Sequence, residues 1–83
     1  MKKLRKGMNL FAKRIDLYVR LLNEGTDVLR PTSAFELGGG LFCLTATPDY
    51  DPDLEEWEFP PGTTIRVEPR HGSNCEFALA VRA

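Results

Sequence analysis

From Ile15 the chain alternates. Ile15, Leu17, Val19 and Leu21 fall on one side of an extended backbone, and Asp16, Tyr18, Arg20 and Leu22 on the other. Successive side chains of a strand point to opposite faces, so a period of two predicts a half-buried β-strand. Asn23-Glu24-Gly25-Thr26 reads as a turn in which Gly25 takes positive φ. A second strand is expected from Asp27 to about Leu37, with Leu29, Ser33, Phe35 and Leu37 sharing a face. Pro31 lies inside it and has no N–H for a ladder, which predicts an edge strand or a bulge nearby. Gly38-Gly39-Gly40 permits a tight reversal into a third strand, Leu41 to Thr47, with Phe42, Leu44 and Ala46 on one side.

Pro48 through Glu58 reads as a long acidic connection, and Phe59-Pro60-Pro61-Gly62 as a turn in which Pro61 presets φ and Gly62 tolerates a positive one. A fourth strand follows, Thr63 to Pro69, with Ile65 and Val67 inward and Arg66 and Glu68 outward. His71-Gly72-Ser73-Asn74 makes a hairpin loop. The last strand runs from Cys75 to Arg82, with Cys75, Phe77, Leu79 and Val81 on its apolar face. Five short strands joined by glycine-rich turns predict an all-β fold: one five-stranded antiparallel Src-homology-3-like barrel over residues 14–83. An oligonucleotide-binding barrel needs a longer chain and a helix after the third strand, where no helical period occurs. Residues 1–13 carry no apolar stripe and read as a basic N-terminal tail.

Eighty-three residues make one small domain, which buries only about 60% of the surface its unfolded chain exposes. That leaves little room for an interior ligand cavity. No apolar run approaches the ~18 residues of a membrane span, and the basic start lacks the apolar stretch of a secretory signal. A cytoplasmic location is therefore expected, with Cys43 and Cys75 as free thiols.

Candidate chemistry is sparse. The single histidine, His71, sits in a hairpin tip without a third group to orient it, so no Cys-His nucleophile is expected and the protein reads as not an enzyme. Asp49-x-Asp51-x-Asp53 resembles the start of a calcium loop, but Leu54 stands where glycine is needed and Pro60 where glutamate is needed. Two Cys and one His cannot complete a structural zinc site. Gly38-Gly39-Gly40 lacks the Lys-Ser/Thr and the helix of a phosphate loop. No metal and no cofactor are expected.

The richest segment runs from Asp49 to Phe59, six carboxylates among a tyrosine, a tryptophan and a phenylalanine. Carboxylates beside aromatic faces suit cationic side chains. The expectation is a protein partner bound through a basic or Pro/Arg-containing segment, with Asp51, Glu55 and Glu56 supplying charge and Tyr50 and Trp57 the stacking surface. The competing structural reading folds Trp57 back to close one end of the barrel. The alternative function is nucleic-acid binding, RNA above all, through Lys2, Lys3, Arg5 and Lys6 of the basic tail. Against it, the chain from Ile15 onward holds five basic residues and all twelve acids, a net charge near −7 that repels phosphates. Tail and acidic loop would also attract each other, and between neighbouring chains that pairing would give a homo-oligomer.

The order Leu21-Leu22-x-Glu24-Gly25-Thr26-x-Val28-x-Arg30-Pro31, then Glu55-Glu56-Trp57-Glu58-Phe59-x-Pro61-Gly62 and a strand ending at Glu68, resembles a group of small bacterial proteins of unassigned function, of the kind found in structural surveys and mobile gene cassettes. The similarity covers about residues 15–69. It implies a compact β fold and no known activity, and no functional residue carries over from it.

Overall fold

The computed structural model describes residues 13–25, 28–72 and 75–83. All its regular structure is strand, with no helix among the described residues: β1 Arg14–Leu22, β2 Val28–Gly38, β3 Leu41–Thr45, β4 Glu56–Trp57, β5 Thr64–His71 and β6 Glu76–Arg82. Five of these close a ring in the order β1-β2-β3-β5-β6, and β4 adds to β1. Four ring contacts are antiparallel; the closing one, β1 to β6, is parallel and consists of Tyr18 against Leu79. The fold is thus the small all-β barrel that the alternation predicts, closed by a parallel seam.

The phase of β1 matches its sequence. Leu17, Val19 and Leu21 are buried, and Ile15 packs against them. From the opposite walls Ala34, Leu44, Trp57, Ile65 and Ala80 complete the core. Fully burying a side chain of leucine size stabilises by roughly 1.5–3 kcal/mol.

In two strands the period of the sequence does not by itself say what is buried. In β2 the face of Leu29, Ser33, Phe35 and Leu37 lies outside, and the core receives Val28 and Ala34. Leu37 is 55% exposed, and the Arg14 guanidinium sits 4.9 Å above the Phe35 ring. In β6 Ala78 and Ala80 join the core and Leu79, on the expected face, is also buried, while Cys75 is exposed and Phe77 stacks edge-on against the outward Tyr18. The Phe77-Ala78-Leu79-Ala80-Val81 run has no polar phase, so period alone cannot orient it.

Pro31 is accommodated by strand geometry. The Glu36 amide donates to the Lys13 carbonyl at 2.7 Å, so even-numbered residues of β2 turn their main-chain groups to β1. The Pro31 nitrogen therefore faces the β3 side, where pairing starts only at Ser33 with Thr45. The expected bulge occurs further on, between Glu36 and Gly38. Gly62 adopts φ 92 in the turn after Pro61, as expected, and its amide donates to the Leu44 carbonyl at 2.7 Å.

Candidate functional site at the acidic end

The acidic connection is more ordered than a plain loop. The Asp51 carbonyl accepts from the amides of Leu54 and Glu55 at 2.9 and 3.1 Å, and its carboxylate accepts from the Asp53 amide at 2.9 Å. Aspartate favours such turns because its short side chain reaches the amide two residues on. The chain then forms β4, where Trp57 pairs with Leu21 and Glu56 with Leu22. This two-residue strand carries too little sequence to show a period.

Trp57 is 3% exposed and closes one end of the barrel, with Tyr50 edge-on to it at 4.8 Å between ring centroids. Its indole N–H donates to Glu55 Oε1 at 2.6 Å. Arg30, on the inward-facing phase of β2, reaches the same carboxylate with two bonds, Nε to Oε1 at 3.1 Å and Nη2 to Oε2 at 2.7 Å. The indole bond first, and then the Arg30 bonds, hold the Glu55 carboxyl below its ordinary pKa, and Glu55 in turn raises that of Arg30. The Asp49 carboxyl is also lowered, first by the Thr47 hydroxyl, then by its own backbone amide and by Arg30.

These contacts redistribute the residues that the sequence singles out. Tyr50, Asp51, Glu55 and Trp57 build the end of the barrel: the Trp57 ring is buried and the Glu55 charge is already paired. Glu56 is exposed and accepts from the Asn23 side-chain amide. Sequence reasoning passed over Glu24, Asp53 and Leu54, which are exposed around a groove of about 270 Å³ lined also by Leu22, Pro52 and Glu56. Leu54, 78% exposed, is an apolar residue among acids in a turn, and that isolation was the one available signal. Lys2, Lys3, Arg5 and Lys6 of the alternative nucleic-acid reading lie outside the described residues.

His71 faces Glu76 across the hairpin at 3.5 Å, with both side chains in solvent. Neither this groove nor the larger one beside Tyr18 is lined by His71, Cys43 or Cys75. Both cysteines are free. Among the described residues no three His, Cys, Asp or Glu side chains gather as metal ligands, and no helix is long and apolar enough to cross a membrane.

Fold and site together define a small all-β barrel with a clamped, anionic end. Compared with protein-family models, with curated proteins and with solved structures, the chain has no significant match in any of the three.

Proposed function

We propose that the protein is a non-catalytic interaction module, a Src-homology-3-like barrel acting in the cytoplasm, whose acidic end holds a basic or Pro/Arg-containing segment of a protein partner. One observation carries this reading: Leu54 stands in solvent beside Pro52, with Glu24, Asp53 and Glu56 around the same groove. Lys and Arg lay their aliphatic stems on apolar surface and keep the charged head among acceptors, which is the chemistry this rim offers. Glu55, Arg30 and Trp57 serve the site by holding the turn rigid, so that little entropy is lost on binding.

The test is titration of a labelled Pro/Arg peptide into the full chain at low and at physiological salt. Binding should weaken with salt, weaken about tenfold in Asp53→Asn/Glu56→Gln, and weaken again in Leu54→Ser. Salt-independent binding that ignores all three substitutions rejects the reading.

A further inference from the structure

At the opposite end of β1 the barrel is not sewn shut. The bond from the Glu36 amide to the Lys13 carbonyl turns the odd-numbered residues of β1 toward β2. Arg14, Asp16 and Tyr18 therefore turn their main-chain groups toward β6. On the other side the Gly72 amide donates to the Cys75 carbonyl, so the odd-numbered residues of β6 face β5, and Glu76, Ala78 and Ala80 face β1. The single bridge of Tyr18 with Leu79 uses Tyr18. Below it, Asp16 and Glu76 turn backbone groups toward the seam, with no further bridge between β1 and β6 among the described residues.

A groove of about 590 Å³ opens beside this place and runs from Glu76 and Phe77 across Asp16 and Tyr18 to Pro31 and Pro48 on the far side of β1. Tyr18, Pro31, Pro48, Phe77 and Ala78 give it apolar walls, stiffened by the edge-on contact of Tyr18 with Phe77 at 5.3 Å. Among the described residues its lining contains two carboxylates, Asp16 and Glu76, and no lysine, arginine or histidine. Glu76, among the described residues, pairs with His71 in an exposed contact, which an incoming cation displaces at little cost.

We propose that this seam accepts an extended cationic segment of a partner protein as an added strand between β1 and β6. Unpaired main-chain groups at a strand edge are a template for another strand, and supply affinity without regard to sequence. Selectivity comes from charge: Asp16 and Glu76 favour Lys or Arg, and the net charge near −7 from Ile15 onward draws cations to the body. The site is separate from the groove at Leu54, and its failure leaves that reading intact.

The experiment uses the ¹⁵N-labelled full chain and three capped peptides: one alternating Lys and Val, its Glu/Val counterpart, and a Lys/Val peptide N-methylated on alternate amides. The Lys/Val peptide should shift the amides of Asp16, Glu76 and Ala78 and slow their hydrogen exchange. The N-methylated and Glu/Val peptides should do neither. Asp16→Asn/Glu76→Gln should weaken binding about fivefold, whereas Asp53→Asn/Glu56→Gln should leave these shifts unchanged. Shifts confined to residues 22–24 and 52–56 overturn the proposal, as does equal binding of the N-methylated peptide. It is also overturned if residues 1–12 of the free chain show contacts to Tyr18 and Phe77, because the seam then belongs to the chain's own basic segment.

Discussion

Arg30 and Glu55, twenty-five residues apart, meet in a two-point ion pair whose shorter bond is 2.7 Å. The Trp57 indole donates to the same carboxylate, so one glutamate ties β2 to the turn before β4 and orients the ring that closes the barrel. A planar guanidinium suits this paired geometry and an ammonium does not. Glu55→Gln should therefore lower stability by about 1–2 kcal/mol, the lower part of the range for bonds to charged groups because Arg30 is partly in solvent. Arg30→Lys should recover less than half of the loss caused by Arg30→Met. Urea midpoints at neutral pH check both.

The same pair sets a pH dependence. The Glu55 pKa is depressed in the folded state, so its contribution is complete above the ordinary carboxylate range and is lost as pH falls through the depressed value. Asp49, lowered in the same direction, adds to the loss. The stability gap between wild type and Glu55→Gln should be constant from about pH 8 to 6 and shrink steadily as pH falls below the ordinary carboxylate range of about 4. Urea titrations at steps through that interval measure it; a gap that persists in acid means the carboxylate charge is not what holds the clamp.

Trp57 is the single tryptophan and is buried, so its fluorescence should be blue-shifted in the native protein and move red on unfolding. Trp57→Ala should cost about 3–5 kcal/mol. A chain of 83 residues commands roughly 4–12 kcal/mol in all, so this variant is expected to populate the unfolded state visibly. Trp57→Phe keeps most of the volume and should stay folded. Circular dichroism melts distinguish the two.

The faces of β2 give opposite results for similar chemistry. Ala34→Leu inserts bulk where there is no exposure and should destabilise by about 1–3 kcal/mol. Leu37→Ser removes an apolar side chain from the outer face and should stay within about 0.5 kcal/mol. Reversal of that order in thermal melts would contradict the orientation of the strand.

At Gly62 a Cβ would meet nothing within 4 Å, yet φ is 92. The cost of Gly62→Ala is conformational alone, about 1 kcal/mol. Chemical denaturation should show a shifted midpoint with an unchanged slope.

The amino-acid sequence by itself determined the all-β class, the start of the first strand within a residue, the inward set Leu17, Val19 and Leu21, and the turn at Gly62. Each is a local property, carried by a period of two or by the φ that one residue permits. Tertiary structure alone decided which face of β2 turns inward, because Phe35 and Ala34 differ in size rather than polarity, and size matters only against an opposite wall; it decided, too, that β6 buries Leu79 and Ala80 alike. It also decided that Glu55 is spent on Arg30 and Trp57 rather than left for a partner. A carboxylate in a sequence is an unassigned charge until the chain closes and brings a cation from another strand beside it.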